Sequence, residues 1–149
     1  MMNLGDQMGL RDRIEAGLER GDATRSDVLY PRLSWEIVGA AIEVHKHVGP
    51  GQLESVYQRS MECELRRRGL AARAQVPVPM FFKGERVGDF YADLIVEDAV
   101  ILELKAIEGW KGVHTAQLLT YLHAAKLRLG MLMNFNVSRM VHGVKRVVR

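Results

Sequence analysis

Apolar residues in the first half of the chain recur every three to four positions, which is the spacing of one helix face. A first helix is predicted from Ser34, a residue typical of helix N-caps, to the segment 49–51, whose two glycines and proline end it. A second helix is predicted at about 53–68, with Gly69 as its stop. The apolar face of the first helix carries Ile37, Val38, Ala41, Ile42, His45 and Val48.

After the second helix, the period of the apolar positions changes to two residues, the period of a strand. Three strands, a helix and two further strands are predicted, at 75–83, 86–96, 100–107, about 111–127, 130–136 and 140–148. Pro77 and Pro79 place the first strand at a sheet edge, because proline cannot donate to a strand ladder. The order α-α-β-β-β-α-β-β predicts an α/β fold, a mixed β-sheet flanked by helices.

Residues 1–30 differ from the rest of the chain. They are polar and contain four scattered glycines, and only residues 10–18 have helical spacing. We therefore expect 1–30 to form a mobile leader with one weak helix, and 31–149 to form a single folded domain. A length of 149 residues is ordinary for one domain.

Composition excludes several classes of protein. Although 48% of the residues are hydrophobic, no apolar run reaches the roughly 18 residues that a membrane span needs, and no apolar stretch opens the chain. We expect a soluble, cytoplasmic protein with no membrane association. The single Cys63 excludes an internal disulfide and a cysteine-based zinc cluster.

Charge is unevenly distributed between the two regions. Residues 1–30 carry four arginines and six acidic residues, whereas residues 31–149 carry 17 basic and 12 acidic residues. A basic domain favours phosphate-bearing partners such as nucleic acid, although many soluble proteins have a similar excess.

Three charged residues interrupt apolar strands. Glu103 and Lys105 are two apart on the predicted strand 100–107 and therefore share a face, and Asp93 lies within the apolar strand 86–96. If a three-residue loop joins Val96 to Val100, Asp93 and Glu103 are opposite each other. Two carboxylates and an ammonium group would then meet, an arrangement that a divalent cation stabilises; oxygen ligands favour Mg²⁺ or Mn²⁺. The alternative is that the face of Glu103 and Lys105 is simply solvated, or that these two charges neutralise each other.

Helical residues extend this cluster. Glu54 shares a helix face with Tyr57, so its carboxylate either joins the cluster or complements the helix dipole. Gln117 and Tyr121 are four apart on the third helix and are therefore neighbours, but alone they are typical of a surface glutamine and a packed tyrosine. His45 is more typical of a packed, hydrogen-bonded histidine than of a metal ligand.

The motifs together resemble one family. Gly51-Gln-Leu-Glu54-Ser-Val-Tyr57 matches the GxxExxY signature, and the similarity spans roughly residues 34–148. The other matching segments are Ile37–His45, Gly49–Gly51, Glu64–Gly69, Ala92–Leu94, Glu103–Lys105 and Gln117–Leu122. GxxExxY proteins are similar to the PD-(D/E)XK nuclease superfamily, so the resemblance implies a restriction-endonuclease-like fold.

The resemblance implies a role for each site residue. Glu54 resembles the superfamily's helical acidic residue, Asp93 its metal-binding aspartate, and Glu103 with Lys105 its (D/E)XK pair. Gln117 and Tyr121 resemble the Gln-x-x-x-Tyr element of the exonuclease-like branches. The proline that precedes the aspartate in the superfamily is Ala92 here.

Two functions follow as expectations. The first is a metal-dependent nuclease in which Asp93, Glu103 and Glu54 hold Mg²⁺ or Mn²⁺ for hydrolysis of phosphodiester bonds in DNA or RNA. Lys105 would orient or deprotonate water or stabilise negative charge, and Gln117, backed by Tyr121, would position the water or a phosphate. The second is a catalytically weak or inactive nuclease-fold module that binds nucleic acid or a protein. Candidate contacts to a nucleic-acid backbone are Arg66, Arg67, Arg68, Lys111, Lys145 and Arg146. The sequence leaves the oligomeric state open.

Overall fold

The computed structural model describes residues 29–149, so most of the predicted leader and its weak helix lie outside the described residues. The helices are α1 (Pro31–Val48), α2 (Glu54–Arg67) and α3 (Gly112–Ala125), with a short 3₁₀ helix at Met140–His142. The strands are β1 (Ala72–Phe82), β2 (Glu85–Val96), β3 (Val100–Lys105), β4 (Leu129–Asn134) and β5 (Val144–Val148).

The five strands form one mixed sheet in the order β1-β2-β3-β4-β5. All neighbouring pairs are antiparallel except β3 and β4, which are parallel and are connected through α3. A parallel pair requires such a crossover, because its two strands begin at the same edge of the sheet. The predicted mixed α/β fold and the position of the proline-containing strand at the sheet edge are therefore confirmed.

Helices cover both faces of the sheet. On one face, α1 and α2 pack against the side chains of Leu94, Leu102 and Met131, among others. On the other, Leu118 and Leu122 of α3 pack against alternate strand positions. Strand β3 is buried on both faces, which explains its nearly continuous apolar sequence. No helix within residues 29–149 is long and apolar enough to cross a bilayer.

Two predicted strands end earlier than expected because a side chain takes over the hydrogen bonding. Asn134 is buried at the end of β4, and its amide receives the N–H of Ile107 at 3.1 Å and donates to the Ile107 carbonyl at 2.8 Å. Strand β3 therefore ends at Lys105 and β4 at Asn134. The predicted last strand, 140–148, is also shorter, since its first residues form the 3₁₀ helix.

The β1–β2 hairpin extends beyond the rest of the sheet. Only residues 94–96 of β2 pair with β3. In contrast, β1 and β2 pair along their whole length, from Ala72 opposite Val96 to Phe82 opposite Glu85. The far end of the hairpin is exposed and carries Phe81 and Phe82, each more than 60% exposed.

Candidate active site

The separation of β2 from β3 determines the position of the acidic residues. Val96 pairs with Val100 across the loop 97–99, so the predicted three-residue turn is confirmed. Pairing continues only to Leu94 and Leu102, and the next two residues in register are Asp93 and Glu103. These two residues therefore lie opposite each other where the strands part.

Both strands of the β1–β2 hairpin change faces at this level. Residues two apart on a regular strand share a face, yet Leu94 packs under α1 and α2 whereas Ala92 packs on the α3 side. In β1, Ala74 and Val76 differ in the same way, and Gln75 between them has a φ of +48°. A non-glycine residue in this left-handed region is uncommon. Asp93 and Gln75 lie at the points where the alternation of apolar side chains in their strands is interrupted.

Backbone N–H groups hold the two carboxylates. The N–H of Leu104 donates to Oδ2 of Asp93 at 2.8 Å, and the N–H of Asp93 donates to Oε1 of Glu103 at 3.4 Å. Burial, together with the negative charge of Asp93, raises the pKa of Glu103 to about 8. Burial also raises the pKa of Asp93, and the charge of Glu54 adds to this effect. The pair is thus costly to ionise without a cation.

Lys105 lies on the same face of β3 as Glu103, the α3 side, as the strand alternation predicts. Its positive charge lowers the pKa values of both Asp93 and Glu103, which shows that it is close to the pair. Within residues 29–149, however, its ammonium group forms no ion pair at 4 Å or less. This half-buried cation is therefore available to a negatively charged ligand.

Glu54 reaches the site from α2. It is the first residue of that helix, and it lines a cavity of about 190 Å³ together with Ser55, Gln58, Gln75, Asp93 and Leu104. Its side chain is exposed, and its charge contributes to raising the pKa values of Asp93 and Glu103. In the described part of the chain, no three His, Cys, Asp or Glu side chains converge closely enough to hold a metal ion by themselves. Asp93 and Glu103 form the inner pair, and Glu54 lies further out.

Tyr57 fixes the turn before Glu54. Its hydroxyl donates to the carbonyl of Gly49 at 2.6 Å and accepts from the N–H of Gln52 at 3.1 Å. Its fully buried ring stacks on Phe135, with the centroids 4.4 Å apart. The turn also requires a φ of +87° at Gly51, which glycine adopts without strain. The Gly-x-x-Glu-x-x-Tyr spacing thus anchors the start of α2.

Gln117 and Tyr121 differ in burial and in their contacts. Tyr121 is half-buried and stacks on Phe90 of β2, with the ring centroids 3.4 Å apart. Burial, with the charges of Glu103 and Asp93, raises the pKa of Tyr121, so its hydroxyl lies within electrostatic range of the pair. Gln117, one helical turn earlier, is exposed and makes no side-chain hydrogen bond within residues 29–149.

Two other residues have structural partners. Nε2 of His45 is 2.8 Å from the carbonyl oxygen of Val137, which confirms the prediction of a packed, hydrogen-bonded histidine. Arg68 forms ion pairs with Glu36 and Glu64, each at 3.0 Å. The guanidinium of Arg68 thus joins α1 to the end of α2, and its contact with nucleic acid stays a prediction.

Sequence reasoning missed two site residues, Gln58 and Gln75. Nε2 of Gln75 donates to Oε1 of Gln58 at 2.6 Å and to Oδ1 of Asp93 at 3.4 Å. Gln58 follows Glu54 by four residues, so the helical period could have indicated that both face the cavity. No local signal identified Gln75, because its position depends on the reversal in β1.

Comparison with known proteins supports one family. The family model described as the PD-(D/E)XK nuclease superfamily matches residues 31–147. Neither the curated proteins nor the solved structures gave a match.

Proposed function

The chain belongs to the PD-(D/E)XK nuclease superfamily, and we propose on that premise that it is a metal-dependent nuclease that hydrolyses phosphodiester bonds in DNA or RNA. One observation carries the proposal: the buried Glu103 and the half-buried Asp93 form a pair of carboxylates beside Lys105, whose ammonium group has no ion-pair partner among residues 29–149. Partial or full burial of three ionisable groups that close no ion pair with one another is costly for a purely structural element. The arrangement is typical of a site whose ligand completes it.

The donor set fits a hard divalent cation. Asp93 and Glu103 would hold Mg²⁺ or Mn²⁺, with Glu54 as an outer carboxylate. Mg²⁺ in proteins is commonly held by one or two carboxylates, with water and phosphate oxygens as further ligands, so a closed cage of three protein carboxylates is not required. When bound, the cation would neutralise charge on the phosphate and acidify a water molecule.

The other groups of the site would have separate roles in positioning and in charge stabilisation. The backbone N–H of Leu104 holds the carboxylate of Asp93 in place. Lys105 would stabilise the negative charge that develops on the phosphate, or orient the attacking water. Tyr121, fixed by its stacking on Phe90, would support that face of the site, and the exposed Gln117 would reach water or phosphate once substrate is present.

The partner in this proposal is nucleic acid. The excess of basic residues over acidic residues in 31–149 supports binding to phosphate. We also propose that the predicted leader precedes the catalytic domain and that the protein acts in the cytoplasm; Leu29, near the end of that leader, packs against the core of the domain.

The first experiment is isothermal titration of Mg²⁺ and of Mn²⁺ into the purified protein, beside Asp93→Ala and Glu103→Gln. Glu85→Gln, at an exposed acid on the same strand as Asp93, is the matched control. The same variants are then assayed for cleavage of labelled DNA and RNA. We expect the wild type and the control to bind one or two cations and to cleave, and the two site variants to do neither.

Two results would contradict the nuclease. Cleavage that survives in Asp93→Ala and Glu103→Gln would show that these residues do not take part in the reaction. Nucleic-acid binding without cleavage in the wild type, unchanged in Glu103→Gln, would instead favour a binding module.

A further inference from the structure

Two glutamines link α2 to the carboxylate of Asp93. The amide Nε2 of Gln75 is 2.6 Å from Oε1 of Gln58 and 3.4 Å from Oδ1 of Asp93. An amide nitrogen carries two hydrogens, so Gln75 can donate to both oxygens at once. Gln75 has a left-handed backbone conformation, and it lies where the side chains of β1 change from one face of the sheet to the other.

The chemistry of Asp93 determines the orientation of both amides. An ionised carboxylate only accepts hydrogen bonds, so the group that Gln75 presents to Asp93 must be its NH₂. That NH₂ then requires an acceptor from Gln58, which fixes Oε1 of Gln58 toward Gln75. Nε2 of Gln58 is consequently left without an acceptor among the described residues.

Among the residues that line the cavity, the side-chain hydrogen-bond donors are Ser55, Gln58 and Gln75, and the NH₂ of Gln75 is already engaged by Gln58 and Asp93. Glu54 and Asp93, which line it, offer acceptor oxygens, and a phosphate offers only acceptors as well. A phosphate entering the cavity would therefore need donors beside the carboxylates. Gln58 lines the same cavity and has an unused NH₂.

We propose that the side-chain NH₂ of Gln58 binds a phosphate of the nucleic-acid substrate, and that Gln75 is a positioning residue that orients both Gln58 and Asp93. This inference rests on the proposed nuclease function and extends it to residues outside the Asp93, Glu103 and Lys105 set. Gln58 would contact substrate directly, whereas Gln75 acts through its two hydrogen bonds.

Four variants separate the two roles: Gln58→Ala, Gln58→Glu, Gln75→Ala and the double alanine variant. Glu at position 58 still accepts from Gln75 but cannot donate to phosphate. Gln52→Ala is the matched control, since its exposed side chain makes no hydrogen bond within residues 29–149. The Mg²⁺ Kd is measured by titration, KM and kcat with labelled DNA and RNA, and folding by thermal melts.

The expected results differ between positions. Both Gln58 variants should raise KM about tenfold, while Gln58→Ala leaves the Mg²⁺ Kd within about twofold. Gln75→Ala should weaken Mg²⁺ binding about tenfold and raise KM as well, because removing a group that orients a metal ligand typically costs about 10- to 100-fold. The double variant should have the KM of Gln75→Ala alone, since the two residues act in series.

Other results would overturn the inference. It is wrong if folded Gln58→Glu binds substrate like the Gln52→Ala control, or if Gln75→Ala changes neither the Mg²⁺ Kd nor KM. A wild type that binds Mg²⁺ and nucleic acid without cleaving would refute the nuclease alone, and the nucleic-acid Kd would then replace KM in the same comparison. A wild type that binds neither would refute both proposals.

Discussion

Asp93 and Glu103 face each other where β2 and β3 separate, and Glu103 accepts the backbone N–H of Asp93. Oδ2 of Asp93 in turn accepts the N–H of Leu104. The two side chains thus join strands whose backbone pairing has ended at Leu94 and Leu102. This arrangement buries charge at the junction, and its energetic cost leads to the first two predictions.

Replacing Glu103 by Gln should stabilise the metal-free protein at alkaline pH. The folded pKa of about 8 lies above the ordinary value of 4.5, so the folded state retains a proton that the unfolded state loses. The associated stability is fully present below pH 4.5 and is lost as pH rises through 8. We expect Glu103→Gln to unfold with a free energy roughly 2 kcal/mol higher than the wild type at pH 9. Urea denaturation in EDTA at pH 5 and pH 9 tests this, and an equal pH slope in both proteins would contradict it.

Metal binding should become tighter as pH rises from 6 to 8. Ligation needs the carboxylate form of Glu103, and burial beside Asp93 raises the pKa of this group to about 8. Binding one cation would then release up to one proton, so the Mg²⁺ affinity should rise by as much as about tenfold per pH unit. Titrations in buffers of different ionisation enthalpy measure the released proton. An affinity that is flat over this range would be inconsistent with Glu103 as a ligand.

Substitution of Lys105 by Ala should remove activity without weakening metal binding. Its ammonium group makes no ion pair within residues 29–149, so the melting temperature should change little. Cleavage should fall by at least about 100-fold, the usual effect of losing a group that transfers or stabilises charge. In titrations at alkaline pH, where Glu103 is ionised, Mg²⁺ should bind as tightly as before or more tightly, since a nearby positive charge is gone. Lys46→Ala, at an exposed lysine on α1, is the control, and equal cleavage by both variants would exclude the role.

Replacing Tyr57 by Phe should destabilise the turn before α2. The variant keeps the ring that stacks on Phe135 but loses the hydrogen bonds to Gly49 and Gln52. Because these groups are partly buried, we expect a loss of about 1–3 kcal/mol in the free energy of unfolding. Tyr91→Phe, at an exposed tyrosine, should change it by less than about 0.5 kcal/mol. Urea denaturation compares them, and equal stabilities would show that the hydroxyl does not hold the turn.

Removal of the Arg68 side chain should affect stability rather than nucleic-acid binding. Its guanidinium bridges Glu36 and Glu64 and is about one-quarter exposed. We expect Arg68→Ala to lose roughly 1–2 kcal/mol, more than an isolated surface pair because two carboxylates lose their partner. Arg66→Ala, at an exposed residue of the same helix end, should lose less than about 0.5 kcal/mol. Thermal melts and fluorescence anisotropy with labelled DNA separate the two effects. A weakened DNA affinity in folded Arg68→Ala would instead support the expected contact with nucleic acid.

Local patterns were sufficient for most of the fold. The periods of the apolar residues predicted the three α-helices and five strands of the described chain, with ends displaced by a few residues, but the 3₁₀ helix at Met140–His142 was predicted as strand. Pro77 and Pro79 indicated the edge strand because proline cannot join a ladder on both sides. The ends of β3 and β4 were missed because Asn134 satisfies the backbone of Ile107, a contact between residues 27 positions apart.

Local patterns also predicted part of the candidate site, and tertiary contacts decided the rest. The alternation in β3 placed Glu103 and Lys105 on one face, and the three-residue loop placed Asp93 opposite Glu103. The resemblance to the superfamily added roles for Glu54, Gln117 and Tyr121. The stacking of Tyr121 on Phe90, and the exposure of Gln117 one turn away, could not be predicted because α3 is separated from β2 along the chain.

The sequence by itself determined the elements, their order and the residue types of the site, because periodicity and turn chemistry depend on neighbouring residues. Only the tertiary structure decided which polar groups meet. The reversal at Gln75 and Asp93, the link to Gln58 and the ion pairs of Arg68 all join separate elements. Such contacts depend on how strands diverge and helices pack, and the high pKa of Glu103 exists only because folding removes that carboxyl from water beside a second one.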